Sequence, residues 1–175
     1  MKLIDQIERE LYESGAMDIY KKIRQKVNKL KTIYGFKCKM CGRCCTPDVG
    51  LTHADYFYMK EKNVNLEGIE VFKYSDGSLI PKKTFKHKSN KYGSITGICF
   101  YEHKISERTI CTIHPNNPLV CHSFPFVVNL ENSLFIVKEV CTWMQWNFEK
   151  FAILLKYFDE IKDLIKEYYT VLEQY

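Results

Sequence analysis

Four thiols fall within eight residues of this chain, in the run F-K-C-K-M-C-G-R-C-C-T from Phe36 to Thr46, as Cys38, Cys41, Cys44 and Cys45. Two overlapping C-x-x-C steps let a tight turn aim successive sulfurs at one centre, and Gly42 supplies the positive φ that such a turn requires. Lys37, Lys39 and Arg43 alternate with the thiols. Their positive charge favours the thiolate, which is the form that binds metals. Four further cysteines, Cys99, Cys111, Cys121 and Cys141, bring the count to eight, or two complete sets of four. Four sulfurs are the usual requirement of a zinc site or an iron-sulfur cluster.

Two other uses of these cysteines compete with metal binding. An even count permits disulfides, but the chain opens directly into a charged amphipathic segment, which reads as cytoplasmic and therefore reducing. A redox dithiol normally offers one C-x-x-C pair in a βαβ setting, whereas this run has two overlapping pairs and a vicinal Cys44-Cys45. Neighbouring residues in extended chain point to opposite sides, so Cys44 and Cys45 are expected to face two different centres. Cys141 is the weakest ligand candidate, because a lone cysteine at a helix start is often buried and inert. His114 and His122, close after Cys111 and Cys121, are candidate outer donors to thiolates. His53, His87 and His103 read as solvent-facing.

Clustered spacing with distant partners favours iron-sulfur, 4Fe-4S in particular, over zinc, since zinc ribbons present two well-separated C-x-x-C pairs. The C-x-x-x-C-P ending of ferredoxins is absent.

The elements that must position these sulfurs are legible in outline. Residues 2 to 13 carry Ile4, Ile7 and Leu11 on one face of a short helix ending at Ser14-Gly15. A second helix runs to about Ile33 with Ala16, Tyr20, Ile23, Val27 and Leu30 as its stripe, and Tyr34-Gly35 ends it. Thr52-His-Ala-Asp55 has the form of a capping box opening a helix to about Lys62, with Tyr56 and Met59 inward. Asn65 to Ser94 reads as a hairpin with a lysine-rich arm. Cys99 and Cys111 are expected on two paired strands joined by the polar stretch Glu102 to Arg108, with Cys121 in a turn or a single helical turn after Pro118. A last hairpin flanks Glu131-Asn132. The longest helix should run from about Thr142 to Leu172, with an inward stripe of Met144, Phe148, Phe151, Leu155, Phe158, Ile161, Ile165, Tyr168 and Leu172.

The expected fold class is α+β. A cysteine-rich metal-binding core of short hairpins and loops (35–141) is flanked by N-terminal helices (1–34) and a C-terminal helix (142–175), packed on each other in antiparallel fashion within a single domain. The long stripe leaves room for a homodimer. At 175 residues, 46% of them hydrophobic, the chain can build one core, and no apolar run is long enough for a bilayer. The formal charge of +5 is spread along the chain, densest at Lys82, Lys83, Lys86, Lys88 and Lys91. A solvated loop accounts for that density. Ionised thiols and two dications would bring the total to about +1, which argues against nucleic acid as a partner.

With both cysteine groups in view, the chain resembles the YkgJ-type cysteine-cluster family of zinc- or iron-chelating proteins. The matching residues are F-x-C-x-x-C-G-x-C-C at Phe36 to Cys45, C-F-Y at Cys99, C-T-I-H at Cys111 and P-x-x-C-x-x-F-P at Pro118 to Pro125. The helical ends lie outside the resemblance. Family members typically carry R-P-x-x-C-R, and Asn117 and His122 stand here in place of those arginines. The resemblance extends to the cysteine-rich part of flagellin lysine N-methylases, which implies a cluster-dependent protein-modifying enzyme as an alternative. The sequence shows no glycine-rich nucleotide turn and no other catalytic motif, so whether the chain is an enzyme is left open. Carriage, sensing or electron transfer by the metal is the leading expectation. A structural zinc module that binds an unknown protein partner is the third.

Overall fold

The computed structural model describes residues 3–42, 50–73, 75, 79–89, 95–130, 134–137 and 148–174. The class is α+β. Helices α1 (Leu3–Glu13) and α2 (Ala16–Tyr34) open the chain, and α3 (His53–Glu61) follows the cysteine run. Strands β1 (Ile69–Lys73), β2 (Leu79–Phe85), β3 (His87–Ser89), β4 (Ile95–Cys99), β5 (Glu102–Ile105) and β6 (Arg108–Cys111) come next. A short α4 (Leu119–Ser123), β7 (Phe126–Asn129), β8 (Leu134–Val137) and α5 (Phe151–Glu173) complete the order. Each strand pairs antiparallel with its sequence neighbour, giving four separate two-stranded sheets among the described residues. No helix among the described residues is long and apolar enough to cross a membrane.

The chain divides into two compact units. One comprises Met1–Glu8 with Met40–His122, and the other Arg9–Lys39 with Ser123–Tyr175.

The second unit is built on α2 and α5. Ala16, Tyr20, Ile23, Val27 and Leu30 are all completely buried, as their three-four spacing predicts. Gly35, in the left-handed region, closes α2 as a C-cap. The Lys150 ammonium donates to the carbonyls of Ile33 (3.0 Å) and Tyr34 (3.3 Å), where the helix leaves acceptors without an intrahelical donor. Lys26, about two turns back along α2, pairs with Glu160. These two contacts fix α2 and α5 as antiparallel neighbours, so N- and C-terminal helices pack on each other as expected. Tyr34 meets Phe126 edge-on with centroids 5.5 Å apart, and Tyr169 donates to the Leu130 carbonyl beside the β7–β8 hairpin.

The start and phase of α5 differ from expectation. Residues 148–150 form a 3-10 turn, and the α-helix begins at Phe151. Its buried face is Leu154, Tyr157, Ile161, Ile165 and Tyr168, while Leu155 is 47% exposed. The tighter 3-10 turn rotates the chain before the helix starts, so a stripe extrapolated from Met144 is out of register at its first positions. Met144 and the expected helix start at Thr142 lie outside the described residues.

In the first unit, α3 opens with the expected capping box. Thr52 Oγ1 accepts from the Asp55 amide at 3.2 Å, and Asp55 Oδ2 accepts from the Thr52 amide at 2.8 Å. Met59 is fully buried in an apolar core with Leu51, Ile69, Cys99 and Tyr101, and Tyr56 packs against it. The β1–β2 hairpin forms as expected. Lys82 and Lys83 lie on β2 and Lys88 on β3 rather than in a loop, Lys86 is exposed between the two strands, and Lys91 lies outside the described residues.

Cys99 and Cys111 do not sit on strands paired with each other. Cys99 on β4 pairs with His87 on β3, and Cys111 on β6 pairs with Glu102 on β5. The polar stretch Glu102 to Arg108 is itself most of a hairpin, turning at Ser106 with φ of 54°. The two-residue turn at Ser106-Glu107 makes local closure cheaper than a longer connection between Cys99 and Cys111.

Candidate metal centre

Cys41 stands between two residues in the left-handed region, Met40 (φ 54°) and Gly42 (φ 74°). This reversal seats the run against β6: the Thr109 amide donates to the Met40 carbonyl at 2.7 Å, and Cys41 forms a single parallel bridge with Thr109. A Cβ at Gly42 would lie 2.9 Å from Cβ, Cγ2 and Oγ1 of Thr109. Glycine is therefore required twice over, by its φ and by the close approach of the strand. Cys41 remains exposed, two positions along the bridge from Cys111.

Cys99, Cys111 and Cys121 come from β4, β6 and α4, and all three belong to or pack against the same apolar core around Leu51, Met59, Ile69 and Tyr101. Cys99 is 7% exposed, and Cys111 and Cys121 are half-buried. The connections holding them are short and polar. Both the amide (2.9 Å) and the hydroxyl (3.0 Å) of Thr112 donate to the Tyr101 carbonyl, tying the residue after Cys111 to the second residue after Cys99. The His114 amide donates to the Cys111 carbonyl at 3.1 Å. A side chain at Gly68 would run into the rings of Phe100 and Tyr101, so this glycine lets β1 approach the turn that follows Cys99.

Asp55 links the third sulfur to α3. Beyond closing its capping box, the carboxylate accepts from the Leu119 amide through Oδ1 at 2.7 Å, and it is 2% exposed. One buried carboxylate thus holds the start of α3 and the start of the helical turn that carries Cys121.

Tyr101 donates its hydroxyl to the Asn65 carbonyl at 2.7 Å and is 3% exposed. Burial pushes its phenol up to about 12, partly offset by the backbone at Gly68, and the negative charge of Cys99, Cys111 and Glu67 adds to the rise. The phenol therefore stays protonated near neutral pH and within electrostatic reach of both thiols.

Cys38, Cys41, Cys99, Cys111 and Cys121 carry thiols rather than disulfides, and Cys38 is exposed. Cys44, Cys45 and Cys141 lie outside the described residues. Among the described residues no group of three or more His, Cys, Asp or Glu side chains lies close enough to hold a metal ion. The donors fit zinc or iron by chemical type, being soft sulfur ligands in reduced form. His122 is buried on α4 and His114 is exposed in the turn after Cys111. Asn117, like His122, is buried. His103 is exposed on β5, and His53 is half-buried.

Sequence reasoning missed Thr109, Thr112 and the second bond of Asp55. The capping box advertised Asp55, but its other oxygen meets an amide 64 positions away, and nothing local encodes that. Thr109 and Thr112 flank Cys111 in T-I-C-T, a spacing that could have marked them as supports.

The fold and these sulfurs define a thiol-rich α+β protein in which, among the described residues, Cys99 and Cys111 close strands and Cys121 lies on a short helix. Residues 37–147, more than half of the chain, match the model of the CxxCxxCC family, described as a "putative zinc- or iron-chelating domain", and the chain belongs to that family. The match spans all eight cysteines and supports metal binding, with zinc or iron as the metal. Comparison with curated proteins and with solved structures gives no match.

Proposed function

We propose that the eight cysteines form the ligand set of one or two iron-sulfur clusters, with zinc in the same place as the alternative, and that the protein acts in cluster or metal carriage, in sensing or in electron transfer. The observation that supports this reading most is the gathering of Cys99, Cys111 and Cys121 from three elements onto one core, with Cys41 docked on the strand that ends in Cys111. Cys44 and Cys45 would complete the sets, one to each of two centres, and Cys38 and Cys141 would fill them. When bound, the cluster would supply one-electron chemistry. The protein residues have separate tasks. Thr109 and Gly42 fix the run on β6, Asp55 holds Cys121, and Tyr101 keeps a neutral hydrogen-bonded group beside Cys99 and Cys111.

Iron, zinc and acid-labile sulfide measured per chain on protein purified without oxygen test the reading. Iron with an equal amount of sulfide, about four or eight of each, is the expected result. Zinc without sulfide would replace the redox function with a structural or metal-handling one, and the absence of both metals would sink the proposal. Cys44→Ser and Cys45→Ser should each disturb a different centre, and identical metal losses in the two variants would refute the two-centre arrangement.

A further inference from the structure

A cavity of about 420 Å³ opens in the first unit where the turn after α3 meets the residues that follow Cys99 and Cys111. Its apolar wall includes Val64, Phe100 and Ile113, and its polar wall includes Lys62, Asn63 and Asn116. Asn65, Tyr101, Thr112 and His114 also line it, and among the described residues no carboxylate does. The volume lies in the range of pockets that take small organic ligands, which are commonly apolar with a few converging polar groups.

The chemistry of the lining selects the charge of the occupant. A cationic ligand would meet the Lys62 ammonium, and the carboxylates nearest the lining, Glu61 and Glu67, already accept from Lys62 and Asn65. An anion would find that ammonium and the carboxamide donors of Asn63 and Asn116, neither of which has a side-chain hydrogen bond among the described residues. Lys62 pairs with Glu61 Oε1 at 3.1 Å, with the two side chains 40% and 31% exposed. A pair this exposed is weak and exchanges readily, so the ammonium is available to a better-placed carboxylate. Phe100 and Ile113 favour an apolar or aromatic body on the same ligand.

We infer that this cavity binds a small carboxylate with an apolar or aromatic body, held by Lys62, Asn63 and Asn116 beside the residues that carry Cys99 and Cys111. The carboxylate belongs either to a free small molecule or to the C-terminus of a peptide. The inference stands apart from the metal reading, because binding is read at the cavity and metal by its content.

Benzoate, benzamide and benzylamine titrated at equal ionic strength into the full-length, 15N-labelled protein as purified form the test. Benzoate should shift the amides of Asn63, Thr112, Ile113 and Asn116, benzamide should do so more weakly, and benzylamine should leave them in place. Lys62→Met and Asn116→Leu, both at accessible positions, should each weaken benzoate about fivefold or more while preserving the remaining spectrum. Equal shifts from benzylamine and benzoate, or unchanged benzoate affinity in both variants, would overturn the inference. Tighter binding of a peptide ending in phenylalanine than of N-acetylphenylalanine would assign the carboxylate to a protein terminus, and the reverse order to a free molecule.

Discussion

The helical unit and the unit that carries Cys41, Cys99, Cys111 and Cys121 are stabilised in opposite ways. Along α2 and α5 the stabilisation is distributed: ten or so side chains are buried in two periodic stripes, and each adds a share. Around Cys99, Cys111 and Cys121 it is concentrated, in one buried carboxylate, one doubly clamped carbonyl and one glycine pressed against a strand. Burial shared among many side chains yields graded responses to substitution. Point supports yield local ones, in which a single change releases a single sulfur.

The contrast can be broken from either side. Ile161→Ala, at a fully buried position of α5, should cost about 2–5 kcal/mol in chemical denaturation. Metal content per folded chain should not change, and metal loss at equal folded fraction would show that the two units do not respond separately. Asp55→Ala removes the cap and the acceptor of the Leu119 amide, with an expected cost of about 2–3 kcal/mol. Here the sharper readout is reactivity: Cys121 should be alkylated faster than in the parent while Cys111 is not, and equal acceleration of both would contradict the separate support of Cys121.

A pH series sharpens the comparison further. The Tyr101 phenol is raised to about 12 in the folded protein from an ordinary 10. Its contribution is complete below pH 10 and is lost as pH climbs toward 12, because the unfolded chain releases that proton first. Parent stability should fall across this window by up to about 2 kcal/mol more than that of Tyr101→Phe. Parallel curves for the two proteins would remove the phenol from the account. The smallest effect belongs to the exposed Lys26–Glu160 pair, where Lys26 is shifted up chiefly by its hydrogen bond to Glu160 and Glu160 down by the same bond. Lys26→Met should change the unfolding midpoint little, and by less still in high salt. A large, salt-independent loss would mean that the helical unit also depends on a point contact.

The same division explains what could be read from sequence. The stripe of α2 was legible residue by residue, because every turn repeats the signal and Gly35 marks the end. In α5 the stripe was legible at Ile161, Ile165 and Tyr168 but not in the first turns: Leu154 and Leu155, and Tyr157 and Phe158, are adjacent apolar pairs offering two faces about 100° apart. The 3-10 turn at 148–150 decides between them, and its own sequence, F-E-K, gives little warning. The capping box of α3 and the positive φ at Gly42 followed from local chemistry, whereas for Cys121 the sequence left a turn and a helical turn both open and the structure has the helix. The pairing of Cys99 with His87 did not, since strands of three to five residues carry too few alternations to specify a partner. The supports at Thr109, Thr112 and Asp55 are contacts between distant segments, invisible to any window of neighbouring residues.

The bond from Asp55 to the Leu119 amide also sets an order of events. Its partners are 64 positions apart, so the chain must close that whole loop before the helical turn carrying Cys121 gains its anchor. α3, by contrast, can nucleate on its own cap within a few residues. Cys121 should therefore arrive late in folding. Asp55→Asn should speed unfolding while leaving the refolding rate nearly unchanged, and a slowed refolding limb would place this bond among the first to form.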